Sequence, residues 1–252
     1  MQQHAMPAFE AMRHEALDEV DSTNSEAMRR ARAGDPGGLW ITAARQTGGR
    51  GRRGRQWISE RGNLYASLLL IDPAPFEDIA SLPLAVALAV RQAVLAAATG
   101  ISGPVEIKWP NDVLIARNKI AGILLEAEQL PDGRNAIVIG IGINVGFAPE
   151  MSAYPTARLR DYAPGADPEM LFAHLFAAMS IELTVWNCGK GIRETVESWR
   201  RHACGIGEAI TVNLLHDRVS GRFAGIDDSG MLMLETQEGM RVFAAGDVFF
   251  GT

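Results

Sequence analysis

Residues 105–145 read VEIKWPNDVLIARNKIAGILLEAEQLPDGRNAIVIGIGINV. Val105–Trp109, Val113–Ala116, Lys119–Gln129 and Ala136–Val145 are apolar runs suited to strands. The links between them are short, and the last is a Pro131-Asp132-Gly133 turn. A parallel pair needs a crossover of about a dozen residues or more, so these strands are predicted to pair antiparallel. Such a sheet belongs to an α+β fold.

Upstream, residues 14–20 alternate weakly and are expected to form a strand ending at Asp21. Ser22-Thr23-Asn24-Ser25-Glu26 then opens a helix running to Gly34, with capping oxygens first and an acid after them. Leu39–Ala44 and Asn63–Ile71 read as further strands. A helix is predicted from about Glu77 to Thr99, with Leu82, Val86, Val90 and Val94 at four-residue spacing. Its Ile79–Ala98 portion is the most membrane-like stretch, but Pro83, Arg91 and Gln92 interrupt it. A span wants ~20 mostly apolar residues, so a buried, alanine-rich helix is the better reading.

Downstream, helices are expected near 168–187 and 191–203. After Gly205-Ile206-Gly207 the texture changes to short strands at 209–215, 218–226, 231–236 and 241–249. The expected organisation is an α+β domain over residues 1–205 and a small β-barrel over 206–252.

Composition narrows the function classes. With 252 residues, 47% of them hydrophobic and 21% charged, the chain is globular rather than disordered or fibrous. A net charge of −6 excludes a chain-wide basic footprint for nucleic acid, leaving room only for a local patch. Cys188 and Cys204 lack zinc or disulfide spacing, and no HExxH occurs among the five histidines. Metal, if used, is therefore not expected on Cys or His. The N-terminal stretch has no apolar core and carries Glu10, Arg13 and Glu15, unlike a signal peptide. A cytoplasmic protein with no membrane partner is the expectation.

The local patch is Arg45 to Trp57, RQTGGRGRRGRQW, with five arginines and no acid. Gly49, Gly51 and Gly54 spell GxGxxG, but no helix is expected before about residue 77, so the dinucleotide reading fails. Taken alone, the stretch fits a solvated charge run or an RNA-binding segment as well as an anion site. Its place between two apolar strands favours a loop that closes on an anionic ligand. Ordering eleven residues without an apolar anchor, against the repulsion of Arg50, Arg52, Arg53 and Arg55, predicts a mobile loop in the absence of ligand.

Only three of the 24 basic residues are lysines: Lys108, Lys119 and Lys190. Two of them flank Trp109-Pro110-Asn111-Asp112, where Pro110 is expected to make a bend that projects Asn111 and Asp112. Gly140-Ile141-Gly142-Ile143-Asn144 ends a strongly apolar strand, and glycines there predict close approach by a ligand or another part of the chain.

Together, Ser22-Thr23-Asn24, Gln46 through Trp57, Lys108 through Asp112, Lys119 through Leu124 and Gly140 through Asn144 resemble the biotin protein ligase family, in order and spacing. The resemblance covers nearly the whole chain. It implies a mixed sheet with helices, like that of class II aminoacyl-tRNA synthetases, followed by an SH3-like barrel. It implies activation of biotin by MgATP to biotinyl-5′-AMP and transfer to a lysine of a biotin carboxyl carrier protein, as in acetyl-CoA carboxylase.

By resemblance, Ser22, Thr23, Asn24, Gln46, Gly49 and Gly122 line the biotin site, and Arg50, Gly51 and Arg52 hold biotin and the adenylate. Lys119 is expected to bridge the biotin carboxylate and the α-phosphate. Trp57, Asn111 and Asn144 look like contacts to the nucleotide. Asp112 looks like the group that assists Mg²⁺ or the attacking amine, with Lys119 and Arg52 as its catalytic companions. Only 21 residues precede Ser22, fewer than a helix-turn-helix module needs, so a ligase without specific DNA binding is expected. A homodimer is left open. The rival readings are a lipoate or octanoate ligase of the same ancestry and an RNA-binding protein using the arginine loop.

Overall fold

Link length decides how the strands pair. The computed structural model describes residues 6–251 apart from 99, 102, 150–154 and 215–216. The expected ends at 99 and 215, and the first five residues, lie outside the described residues.

β1 (Arg13–Val20) leads into α1 (Thr23–Arg32), and β2 (Leu39–Gln46) returns parallel to β1. Then come β3 (Leu64–Ile71), α2 (Leu82–Ala97), β4 (Val105–Lys108), β5 (Asp112–Ile115), β6 (Asn118–Gln129) and β7 (Asn135–Ile143). Only β1 and β2, joined by a helix, are parallel; every other pair in this seven-stranded sheet is antiparallel, in the order β1-β2-β3-β7-β6-β5-β4, and short links account for β4-β5, β5-β6 and β6-β7.

α3 (Pro168–Trp186) and α4 (Ile192–Arg201) follow, and then β8 (Ala209–Asn213), β9 (Arg218–Ile226), β10 (Leu232–Thr236), β11 (Gly239–Phe243) and β12 (Asp247–Phe250). These five strands form an SH3-like antiparallel sheet in the order β11-β10-β9-β8-β12.

Two boundaries differ from expectation. The helix predicted from Glu77 begins at Leu82 after a 3₁₀ turn over Phe76–Ser81, because Pro83 lacks an N–H and is tolerated only in a first turn. The strand predicted over 241–249 is two strands. β11 runs along β10, whereas β12 leaves to pair with β8, so the chain must turn between Phe243 and Asp247.

The alternation of strand side chains creates the site. Ile137, Ile139, Ile141 and Ile143 of β7 join the large core under α2 and α3. Ala136 and Val138 face the other way, against Ala27, Met28 and Ala31 of α1. Gly140 and Gly142 share that second face, beyond the N-terminus of α1. Apolar residues therefore end where the helix ends, and glycines leave a hollow in the sheet.

The Ile79–Ala98 stretch is a core helix: Leu82, Val86, Ala89, Val90 and Val94 are all buried. By length and composition alone, Phe76–Ala97 and Pro168–Gly189 would both be long and apolar enough to cross a membrane. Packing of the first into the main core accounts for its apolar surface.

Candidate active site

A cavity of about 370 Å³ opens over the glycine hollow, within the range of small-molecule sites. Its long axis follows a row of register partners across the sheet: Gly142 opposite Gly122, Gly122 opposite Asp112, and Asp112 opposite Lys108. Every residue expected at the site lines this cavity except Gly49.

One wall is neutral. Ser22 caps α1, its Oγ accepting from the Ser25 N–H, which places Thr23 and Asn24 at the helix start. The Thr23 N–H donates to Gln46 Oε1 at 2.8 Å, and the Thr23 hydroxyl donates to the same oxygen at 3.1 Å. Gln46 Nε2 donates to Ser59 Oγ at 2.9 Å, fixing the amide. Asn24 Nδ2 donates to Glu126 Oε2 at 2.7 Å, while Ser67 Oγ lies 2.6 Å from Asn24 Oδ1. A Cβ at position 140 would stand 2.3 Å from Asn24 Oδ1, so Gly140 is what lets Asn24 lie on the sheet.

Ser67 was not singled out in the sequence. It is a hydroxyl in an apolar strand, and only its parity with the glycine face betrays it.

The other wall is charged. Five cations line the cavity (Arg50, Arg52, Arg55, Lys108 and Lys119) against two carboxylates, Asp112 and Asp247. This is an excess of positive charge within a chain of net charge −6. Lys119 Nζ stands 2.7 Å from Asp112 Oδ1, a close ion pair between two largely buried side chains. Asn111 does not project from the sheet. Its Nδ2 donates to the Ile123 carbonyl at 2.6 Å, and its Oδ1 accepts from Arg52 Nη1 at 3.0 Å. Asp112 likewise is the buried first residue of β5 rather than an exposed turn residue, because β5 starts pairing with β6 there. Burial also pulls the Arg52 guanidinium below its ordinary pKa. Asn144 is buried, its Nδ2 donating to the Ala157 carbonyl.

The arginine loop closes as an irregular hairpin. The Trp57 N–H donates to the Gly49 carbonyl at 2.9 Å, and the Gly51 N–H donates to the Arg55 carbonyl at 2.7 Å. Gly49 is needed for this closure: a Cβ there would meet the Trp57 carbonyl oxygen at 2.4 Å. The closed loop lays the Trp57 indole into the hollow, where a Cβ on Gly142 would be 2.6 Å from the ring. Trp57 Nε1 is buried without a hydrogen-bond partner, and Lys119 Nζ lies 5.2 Å from the ring centroid.

The loop's charges are answered by acids outside the loop. Arg53 and Arg55 reach Asp247 at 3.1 and 2.8 Å, Arg52 approaches it at 3.8 Å, and Arg50 pairs with Glu126 at 3.1 Å. The repulsion expected within the loop is thereby offset. Asp247 carried no sequence signal, lying in β12 nearly 200 residues after the loop. Among the described residues, no group of three or more His, Cys, Asp or Glu side chains is arranged to hold a metal.

Comparison with known proteins adds to this geometry. The profile of the biotin/lipoate A/B protein ligase family matches residues 18–144, and that of the biotin protein ligase C terminal domain matches residues 205–251. A biotin–[acetyl-CoA-carboxylase] ligase of Paracoccus denitrificans is 37% identical over 244 residues, covering 93% of this chain and 99% of that protein. The chain belongs to the biotin protein ligase family. Among solved structures, the ligase resembles the biotin protein ligase of Aquifex aeolicus in complex with biotin and ATP. The TM-score is 0.80 at 30% identity, over 94% of this chain and 97% of that one. The Leishmania major enzyme in complex with biotinyl-5-AMP matches with a TM-score of 0.65 at 26% identity, over 93% of this chain and 99% of that one.

Proposed function

We propose that the cavity binds biotin and ATP, joins them as biotinyl-5′-AMP with release of pyrophosphate, and passes the biotinyl group to a lysine of a biotin carboxyl carrier protein in the cytoplasm. Residues 1–205 supply the catalytic part and 206–252 the barrel that closes its charged end. The observation that carries this reading is the division of one cavity into a neutral hydrogen-bonding wall and a cationic wall. Biotin is divided the same way, with an uncharged ureido ring at one end and a carboxylate at the other.

The ureido group needs donors and acceptors without a buried charge, which Ser22, Thr23, Asn24 and Gln46 offer. Gly122 lets the Trp57 ring and the Lys119 ammonium lie close to the sheet beside the ligand's chain, since a Cβ there would meet them at 3.0 and 3.3 Å. The carboxylate oxygen attacks the α-phosphorus, and the bond from that phosphorus to the pyrophosphate oxygen breaks. Both partners are anionic, so the step needs cations that bring them together; Lys119, Arg50 and Arg52 serve, with the Gly51 backbone allowing close approach. Trp57, Asn111 and Asn144 meet the nucleotide.

In the second step the neutral amine of the carrier lysine attacks the acyl carbon and AMP departs with the bonding pair. The amine's proton must leave, and we assign Asp112, a carboxylate in the charged wall of the cavity, to take it. Mg²⁺ suits this site as an ion that arrives with the phosphates, since it is commonly held by one or two carboxylates plus substrate oxygens. Asp112 is the carboxylate that would hold it, and the ion would neutralise charge on the leaving pyrophosphate.

Biotin-dependent exchange of labelled pyrophosphate into ATP, followed by transfer to a carrier domain, tests the reading. Exchange with biotin and none with lipoate or octanoate is the expected result. Exchange that follows lipoate instead reassigns the acid, and no exchange with any of them removes the ligase reading.

A further inference from the structure

Lys108 has no role in the steps above, yet it lies in the same cavity wall. It is the last residue of β4, with a relative exposure of 4%. A lysine is almost never fully buried, because removing its charge from water is costly unless an opposite charge compensates. Val105 and Ile107 point into the main core, so Lys108 takes the opposite face, the face of the glycine hollow.

Its place in the row is informative. From the glycine pair the row runs to Asp112 and then to Lys108, two strand spacings or roughly 10 Å from Gly122. Lys119, beside Gly122, marks where carboxylate and α-phosphate meet. The remaining phosphates must extend away from the neutral wall, and that direction leads along the row to Lys108. On the barrel side, the rings of Phe249 and Phe250 lie 5.9 and 5.5 Å from its ammonium. These rings favour a cation and keep water from that side.

We propose that Lys108 is a catalytic residue that grips the β- and γ-phosphates of the nucleotide and the pyrophosphate they become, an inference that rests on the ligase reading above. As the bond from the α-phosphorus breaks, its electron pair moves onto the pyrophosphate oxygen, and the charge that develops lies within reach of this ammonium. A compact point charge suits the task better than a planar guanidinium, because the phosphates rearrange as they leave. The groups acting on the ammonium fit this task. Burial pushes its pKa down to about 8 and Lys119 pushes the same way, while Asp112, Cys204 and Asp247 oppose them. At neutral pH the cation is retained in a desolvated setting.

Lys108→Met and Lys108→Gln in the full chain test this, with melting curves confirming that each folds; the second covers the case in which the first does not. Biotin binding by calorimetry is expected within about twofold of wild type, and inhibition by AMP unchanged. Adenylation should fall about 10²-fold, the scale for loss of one transition-state donor. Inhibition by inorganic pyrophosphate should weaken at least about tenfold. Transfer from supplied biotinyl-5′-AMP to a carrier domain should stay at the wild-type rate, which a general structural defect would not allow.

Unchanged pyrophosphate inhibition, or an equal loss in both half-reactions, overturns the assignment. Wild-type protein without biotin-dependent exchange overturns the ligase reading and this inference with it. Normal wild-type exchange with unaltered variants overturns this inference alone.

Discussion

The neutral wall of the cavity is closed mainly by hydrogen bonds among uncharged side chains, whereas the arginine loop of the charged wall is closed by ion pairs to acids elsewhere in the chain. Thr23, Gln46 and Ser59 bond to one another over a helix start, the end of β2 and the segment that leads into β3. Arg53 and Arg55, by contrast, meet Asp247 of the C-terminal sheet. Buried, mutually satisfied polar groups are rigid, because breaking any one leaves its partner unpaired. Partly exposed ion pairs are worth only ~0–1 kcal/mol each and exchange readily with other anions. The molecule thus combines a preformed half for an uncharged group with a yielding half for phosphates.

Lys119→Ala tests the charged half most severely. Losing the cation between carboxylate and phosphate should slow adenylate formation by ~10²–10³-fold, the cost of removing an oxyanion donor. Biotin affinity in calorimetry should fall far less, because Asn24, Thr23 and Gln46 remain. A mutant that exchanges pyrophosphate at the wild-type rate would place the chemistry elsewhere.

The neutral half should respond in the opposite sense. Asn24→Ala removes one partner each from Glu126 and Ser67, which keep Arg50 and the Thr23 hydroxyl respectively. Losing a hydrogen bond costs ~0.5–1.5 kcal/mol, so biotin affinity should fall roughly tenfold and the melting temperature should drop. Once biotin is saturating, adenylation should recover most of its rate. If Asn24→Ala lowers the saturated rate as much as Lys119→Ala does, the two walls do not divide the work.

The same contrast explains what the sequence could reveal. Gly140 and Gly142 announced a close approach, and Asn24 and Trp57 are the side chains that approach. Short links fixed the register of β5, β6 and β7, so the motif residues on them had to meet. Signals failed where the partner is distant. Asp247 follows an ordinary turn in an ordinary strand, and nothing local marks it as the counter-charge of a loop nearly 200 residues earlier. Gly49 shows a different limit: a glycine demanded by a neighbouring carbonyl looks the same in sequence as one demanded by a ligand. Lys108 stood out only by rarity among arginines, and its burial emerges from pairing with β5 and cover by β12.

The smallest expected effect belongs to the contact between the arginine loop and the barrel. Asp247 is nearly buried, its side chain 12% exposed, while Arg55 opposite it is 45% exposed. Replacing Asp247 by Asn removes one carboxylate from three arginines at once. Their repulsion is then unanswered, and the loop is left with its hairpin bonds, such as Gly51 N–H to the Arg55 carbonyl, and with the bonds of Arg52 to Asn111 and of Arg50 to Glu126. Trypsin reads the difference, because it cuts after arginine in flexible, exposed chain. Without ligands the wild-type loop should be nicked between Arg50 and Arg55, giving fragments of about 50 and 200 residues. Asp247→Asn should be nicked about three- to fivefold faster, the factor that matches loss of one exposed ion pair. Biotin with MgATP should slow cleavage of both proteins, since the adenylate supplies anionic oxygens where Asp247 had stood, whereas lipoate with MgATP should protect neither. Equal nicking of the two unliganded proteins would mean that the hairpin bonds alone hold the loop, and the yielding half of the cavity would then be as preformed as the neutral one.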